Sequence, residues 1–316
     1  MKEYINKQLN NTLEAVDLEI SSEHYRGKVR ENYYKDKEII MVTSDRVSAF
    51  DHVLGTIPFK GQILSEITNY WFDKTKNIVP NHIVSYPDPQ VLIVKKAKPL
   101  PVEVIVRGYI TGSLWREYSS GINGQYGFML PEGLVKNQKF DSPILTPSTK
   151  AEYGLHDEPI SREEIVNGLV DEKIYAKAEE YAMNLFDEGQ KAASAQNLIL
   201  VDTKYEFGIF NGELILIDEV HTPDSSRYWV KDEYEGRFSN NEEQKMLDKE
   251  NIRKWLIDRG FSGEGKPPQL TDDIRVSLSE QYINLYKILT GNDFNPAVGD
   301  VKTRIINNLS NIKYEI

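Results

Sequence analysis

Four apolar residues at 198–201 (LILV) lead into a stretch where charge falls on every second position: Asp202, Lys204 and Glu206 alternate with Thr203, Tyr205 and Phe207. A period of two predicts a strand with one covered and one polar face, and it puts the three charges on the same face. Asn211-Gly212 is a strong hairpin signal, and 213–218 returns as the partner strand. The alternation reads equally well as a solvated sheet face with a lysine between two carboxylates. Asp218 and Glu219 tip the reading toward a site, because they follow a run (214–217) that looks buried on both faces, and buried carboxylates must be paired or bind a cation. A plain two-residue turn pairs 206 with 217 and sends Glu206 and Asp218 to opposite faces. A bulge at or beside Gly208 is therefore expected, since it would bring the two carboxylates together.

Elsewhere the pattern predicts strands and turns over most of the first hundred residues: HYRGKVRENYY, EIIMVTS and HIVSYPDPQVLIVKKA, with a turn at 35–37. One helix interrupts them, GQILSEITNYWFDKT, with apolar positions 63, 64, 67, 71 and 72 on one stripe. VEVIVRG reads as a strand leading into TGSLWREY, and 121–159 as a loop rich in Gly and Pro. Ser161 and Glu164 form a capping-box signature, followed by helical spacing at Ile174, Ala178, Tyr181 and Leu185. Two more amphipathic helices are predicted, over about 243–258 and 271–289; Thr271 caps the second, and Asp272 and Asp273 suit its dipole. The fold class is α+β, with a smaller, mainly antiparallel N-terminal lobe (1–100), a larger mixed C-terminal lobe (101–316) and a cleft between them.

Composition narrows the function classes. The 316 residues are 40% apolar and 28% charged, an ordinary balance for a globular protein. The absence of cysteine excludes disulfides, thiolate nucleophiles and cysteine-bound zinc. The five histidines are scattered with no pair four apart, so a histidine metal site is not expected. The first ten residues have no apolar core, and no run approaches the roughly 18 residues of a membrane span, so a soluble, cytoplasmic protein with no membrane partner is expected. A net charge of -11 argues against general nucleic-acid binding, yet it allows a small anion in a locally basic pocket.

Three segments could build such a pocket. RGKVREN sets Lys28 and Arg30 on one face just after Gly27, whose missing side chain lets backbone approach a phosphate; a plain hairpin accounts for it too. Arg107 ends an apolar strand, and Thr111-Gly112-Ser113 opens a helix whose N–H groups suit an anion. A surface ion pair for Arg107 and an N-cap for Ser113 are the ordinary alternatives, and the two together favour a phosphate or carboxylate. HTPDSSRYW supplies Ser225, Ser226 and Arg227 directly after Asp218 and Glu219. Carboxylates for a hard divalent cation plus anion-binding loops describe a nucleoside-triphosphate enzyme with a second anionic substrate. No GxxxxGK[ST] is present, and HRD and DFG are absent although the Asp-x-Lys-x-Glu strand is laid out like a kinase catalytic loop. The residues alone reach metal-assisted phosphoryl transfer to an unspecified acceptor, with a small-molecule kinase and a non-catalytic nucleotide-binding module as alternatives.

Six stretches, GKVRENYY, SDRVSAFD, IPFKGQIL, VEVIVRGYITGS, DTKYEFG and DEVHTPDSSRYW, run in order over about 27–229 and closely resemble the phosphoribosylaminoimidazole-succinocarboxamide synthase (SAICAR synthetase) family of purine biosynthesis. Glu31 stands where many relatives have Asp. The resemblance implies a two-lobe fold similar to protein kinases and ATP-grasp enzymes. It implies an ATP-dependent ligase that joins L-aspartate to carboxyaminoimidazole ribotide (CAIR) through an acyl phosphate. Glu206 and Asp218 would then hold Mg2+ on ATP, Gly27, Lys28 and Arg30 would lie under the phosphate-covering loop, and Glu103 would contact adenine with the VKKAKPLPVE hinge. Arg107, Ser113 and Arg227 would bind the ribotide 5′-phosphate. Lys204 would stabilise charge on the transferring group, with Asp202 as its orienter or as proton acceptor for the amine. Asp45, Arg46 and Ser48, with Thr149, Lys150, Asp157 and Glu158, would shape the substrate side. The partners implied are small molecules, and a monomer and a homo-oligomer are both compatible.

Overall fold

The computed structural model describes residues 1–20, 23–50, 52–150, 157–247 and 250–311. A short helix, α1 (Lys2–Gln8), precedes an antiparallel sheet whose strands are β1 (Glu23–Arg26), β2 (Arg30–Tyr34) and β3 (Glu38–Thr43). β4 (Arg46–Ala49) pairs with β5 (His52–Thr56), α2 (Lys60–Thr75) follows, and β6 (Ile83–Asp88) and β7 (Val91–Lys95) complete the sheet in the order β1-β2-β3-β7-β6. The apolar stripe on α2 packs as its spacing predicts: Ile63, Leu64, Ile67, Trp71 and Phe72 are all buried in the main core. Gly61 permits the close approach of α2 to β3, because a Cβ there would lie 2.4 Å from the Thr43 carbonyl oxygen.

The second sheet begins with β8 (Lys98–Pro99) and β9 (Val102–Tyr109), continues after α3 (Gly112–Ser119) with β10 (Lys139–Leu145) and β11 (Ser148–Thr149), and resumes after two helices, α4 (Arg162–Gly168) and α5 (Glu172–Ala195). Its spine is β12 (Leu198–Phe210), which takes β9 and β8 along one edge and β14 (Ser226–Val230) and β13 (Glu213–Ile217) along the other. Asn211 and Gly212 both have positive φ (52° and 82°), the turn chemistry that joins β12 to β13. The capping box at Ser161 and Glu164 is formed.

Two expectations are corrected. Residues 139–149 are not all loop: β10 and β11 pair with β9, and Pro143, which reads as a strand breaker, falls where the β10–β9 register shifts on the sheet edge. The helix expected over 243–258 starts only at Glu250, because Met246 bridges to Trp229 and the Lys245 carbonyl accepts from Val230 N–H.

After α6 (Lys231–Ser239) and α7 (Glu250–Ile257), α8 (Asp272–Thr290) packs against α2 and α1, and α9 (Val301–Ser310) against β6. Thr271 is the N-cap residue of α8 but makes no side-chain cap bond; Asp272 and Asp273 occupy the first turn. Val301, Ile305 and Leu309 join Leu13, Val16, Tyr33, Val42 and Ile93 in one cluster, so the end of the chain covers the first sheet. Among the described residues no helix is long and apolar enough to cross a membrane.

Candidate active site

A bulge, though not the expected one, decides which face of the sheet the β12 charges occupy. Against β14, Leu200 lies opposite Tyr228 but Asp202 opposite Arg227, so Val201 is an extra residue. The phase of the strand changes there. Leu198 and Leu200 share the main core with Tyr205 and Phe207, Val201 packs separately with Tyr109 and Trp229, and Asp202, Lys204 and Glu206 turn onto the other face. The bulge expected at Gly208 is absent, since pairing from 206:217 to 210:213 is unbroken. Gly208 serves close approach instead: a Cβ there would lie 3.1 Å from both Ala97 Cβ and the Lys98 carbonyl oxygen.

Glu206 and Asp218 nevertheless converge. Asp218 leaves β13 with φ 65°, a left-handed step that Asp tolerates, and this brings its carboxylate back to the β12 charges. Lys204 Nζ stands between them, 2.5 Å from Glu206 Oε1 and 3.9 Å from Asp218 Oδ2. A third carboxylate, Glu103 Oε1, accepts from the same ammonium at 2.8 Å. Continuing the β12–β9 register by one residue sets Glu206 level with Glu103, a like-charge pair that would destabilise the sheet without Lys204 between them. Lys150 donates to the other oxygen of Glu206. Burial works against both partners' charges, but the Lys204 and Lys150 ammoniums outweigh it and hold the Glu206 carboxyl well below its usual range. Likewise burial lowers the Lys204 pKa, yet Glu206 and Glu103 overcome it and push the pKa above the ordinary lysine value. Both groups are therefore charged at neutral pH.

The second cluster lies two residues along the same face. Asp202 is the cross-strand neighbour of Arg107 on one side and Arg227 on the other. Its Oδ2 accepts from Arg107 at 3.1 Å and from Arg227 at 2.8 Å. Arg107 also donates to Ser113 Oγ at 3.2 Å and to Thr146 Oγ1 at 2.8 Å. Arg227 rests on Gly112, whose φ is 58° and where a Cβ would lie 2.6 Å from two guanidinium nitrogens. Two guanidiniums meet at the Asp202 carboxylate near the N-terminus of α3, where backbone N–H groups favour an anion. Asp202, expected to orient Lys204 or to accept the amine proton, has its Oδ2 engaged by the two arginines.

The β1–β2 hairpin closes over this face. Gly27 N–H donates to the Arg30 carbonyl at 2.8 Å, leaving Lys28 and Val29 at the tip. Arg30 crosses to Asp218, which it contacts closely, and to Glu219 Oε2 at 3.0 Å.

A family model described as SAICAR synthetase matches residues 23–269. The phosphoribosylaminoimidazole-succinocarboxamide synthase of Bacteroides fragilis is 50% identical over 275 residues, covering 85% of this chain and 88% of its own. That of Legionella pneumophila is 45% identical over 296 residues, covering 90% and 94%. The chain belongs to the SAICAR synthetase family. Among solved structures, the SAICAR synthase from Saccharomyces cerevisiae complexed with SAICAR superposes with a TM-score of 0.79 at 35% identity, covering 90% of this chain and 100% of that one. A type-2 SAICAR synthetase in complex with ADP gives 0.65 at 26% identity, covering 86% and 100%.

Within this SAICAR synthetase fold, the residues expected from sequence separate into three groups. Lys204, Glu206, Asp218, Lys150, Glu103 and Arg30 form one continuous network of ion pairs, and Arg107, Arg227, Ser113 and Asp202 form another. Glu103, expected as an adenine contact, places Oε1 on Lys204. Asp45 and Ser48 join neither network: buried Asp45 accepts from the N–H groups of Leu13 (2.7 Å) and Gly61 (2.9 Å), and Ser48 lies in β4 opposite Val53. Asp51 and residues 151–156 of the TKAEYGLHDE segment lie outside the described residues, while Thr149 N–H pairs with the Glu158 carbonyl at 2.8 Å. Sequence reasoning gave no separate role to Glu219 or Gly112. The signal for Glu219 was its place beside Asp218; the signal for Gly112 was a glycine at the opening of a helix.

Proposed function

We propose that this chain is an ATP-dependent carbon–nitrogen ligase that condenses L-aspartate with CAIR to give SAICAR, ADP and phosphate in purine biosynthesis. One observation carries the residue assignments: on one face of β12, a lysine–carboxylate network stands two residues from the two guanidiniums of the Arg107–Asp202–Arg227 cluster. A ligase of this kind needs both, a place to move a phosphoryl group and an anchor for an anionic substrate.

In the reaction, a CAIR carboxylate oxygen attacks the γ-phosphorus of ATP, and the bond to the bridging oxygen breaks to release ADP. The acyl phosphate formed is the electrophile that a free carboxylate is not. The aspartate amine then attacks the carbonyl carbon, inorganic phosphate departs with the C–O bond pair, and the nitrogen loses a proton. Arg107, Arg227 and Ser113 hold the ribotide 5′-phosphate, which fixes the distance from that phosphate to the reacting carboxylate. Lys204 and Lys150 stabilise negative charge on the transferring group, and the fixed ammonium of Lys204 needs little reorganisation to do so. Lys28 and the hairpin tip cover the nucleotide phosphates. Asp202 holds the two guanidiniums together.

Glu206 and Asp218 supply the hard oxygen donors that Mg2+ prefers. Among the described residues no group of three or more acidic or histidine side chains is arranged to hold a metal. A pair of carboxylates suits Mg2+ that takes its remaining ligands from water and the nucleotide's phosphates, its usual habit. When bound, Mg2+ supplies charge neutralisation on those phosphates.

The test is ADP release by the purified protein with MgATP and CAIR, with L-aspartate added or omitted. Turnover requiring both, with SAICAR formed one for one with ADP, is the expected result. Aspartate-independent turnover to a stable phosphorylated product would make the chain a kinase, and no turnover would leave only a nucleotide-binding module.

A further inference from the structure

Arg46 is 1% exposed, and its guanidinium is almost wholly occupied with main-chain atoms. It donates to the carbonyls of Lys28 (2.9 Å), Gly27 (3.0 Å) and Arg30 (3.3 Å), to the Glu14 carbonyl, and to Glu31 Oε1 at 2.6 Å. Val29, the remaining residue of the turn, is tied from the same side: Ser44 N–H (2.9 Å) and Ser44 Oγ (2.8 Å) both donate to its carbonyl. Every carbonyl from 27 to 30 is thus turned inward to residues 44 and 46. In a trans peptide the N–H of the next residue points the opposite way, so the N–H groups of Lys28 and Val29 are turned to the outer side of the hairpin. N–H groups on that side can donate to anionic oxygens. Glu31 is also 1% exposed, and it balances the buried charge of Arg46 while taking His24 at 2.9 Å and Arg26 at 3.5 Å.

We propose that Arg46 is a positioning residue for the nucleotide: by holding the carbonyls of the 27–30 turn inward, it fixes the backbone of the phosphate-covering hairpin. Through Arg30, which begins the next strand and reaches Asp218 and Glu219, the clamp also sets the hairpin against the carboxylates expected at the metal. Arginine suits the task because its planar fork offers five donors in fixed directions, whereas a lysine ammonium on a flexible stem satisfies fewer carbonyls at once. The inference rests on the assignment of the hairpin to the ATP phosphates.

The experiment combines steady-state kinetics with amide hydrogen exchange of the 27–31 peptide, with and without MgADP, on the wild type and on Arg46→Lys and Glu31→Gln, each checked for folding by thermal melting. In the wild type MgADP should slow exchange of this peptide. In Arg46→Lys the ligand-free peptide should exchange faster, and the KM for ATP should rise about tenfold or more, while the KM for CAIR changes less than about twofold. Glu31→Gln, which keeps the carbonyl contacts, should lie between the two proteins, and it carries the test if Arg46→Lys does not fold. Faster exchange that left the ATP KM unchanged would overturn the clamp alone. Absence of protection by MgADP in the wild type would remove the phosphate assignment of the hairpin, and the clamp with it. A uniform loss across both substrates would mark Arg46 as merely structural.

Discussion

Lys204 shares one ammonium among Glu206, Glu103 and, more distantly, Asp218, and its worth lies in that shared position. Lys204→Met keeps the length and removes the charge, so turnover should fall by about 100-fold to 1,000-fold, the cost of losing one preorganised electrostatic partner. Initial rates of ADP formation at saturating substrates check this, and a rate within a few-fold of wild type would remove Lys204 from the chemistry. Arg227 separates binding from turnover. Arg227→Ala deletes one charge-assisted partner of the proposed 5′-phosphate, worth about 1.5–3 kcal/mol, so the KM for CAIR should rise roughly 10-fold to 100-fold while that for ATP stays level. The shared face of Asp202, Lys204 and Glu206 was legible in the sequence from period-two spacing alone. What spacing could not give was the pairing: the Asp202 carboxylate goes to Arg107 and Arg227, residues 95 and 25 positions away, rather than to the lysine two positions along.

At the scale of elements, local chemistry and long-range pairing part company. The Asn-Gly turn, the α2 stripe and the Ser161 capping box are written in a few adjacent residues, and each forms as read. The bulge is different. It lies at Val201 because of how β14 meets β12, and nothing near Val201 in the chain announces a partner strand 25 residues on. Gly208 signals either a bulge or a close backbone approach, and only β8 decides for the second. The start of α3 offers a test at this scale. Gly112 combines φ 58° with the guanidinium of Arg227 where a Cβ would stand, so Gly112→Ala should destabilise the fold by about 1–2 kcal/mol through backbone strain. It should also push Arg227 aside and raise the KM for CAIR. Urea denaturation and CAIR kinetics on the same variant check both effects; an unchanged CAIR KM would detach α3 from the phosphate site.

Across the whole molecule, the chain's end returns to its beginning, and buried ionisable groups join the halves. Lys60 at the start of α2 pairs at 2.8 Å with Asp224 in the loop before Arg227, and Tyr282 of α8 donates to the same carboxylate at 2.7 Å. Lys60→Met would break this buried ion pair from one side, and should lower stability by about 3–5 kcal/mol in denaturation experiments. The same burial gives stability a pH dependence whose sign can be worked out. His82 and His221 are buried, and burial holds each down to about 3 from 6.5. Between those values the unfolded chain binds a proton at each histidine that the folded chain does not. Stability therefore rises with pH across the window and is lost as pH falls below about 6.5, at about 1.4 kcal/mol per pH unit for each histidine. Asp45 acts oppositely. Burial raises its pKa to about 6 from 3.8, so the folded chain holds the extra proton in that range and offsets one histidine. Glu206, with its pKa depressed, adds a further loss only as pH drops below the ordinary carboxylate range. Unfolding free energy should thus be flat from pH 8 to 7 and then fall by about 2 kcal/mol between pH 6.5 and 5. Urea titrations at these pH values decide the matter. His221→Gln should flatten the decline, because an amide side chain at that position cannot gain the proton in the unfolded chain; a decline of the same slope in that variant would assign the acid sensitivity to groups other than the buried imidazoles.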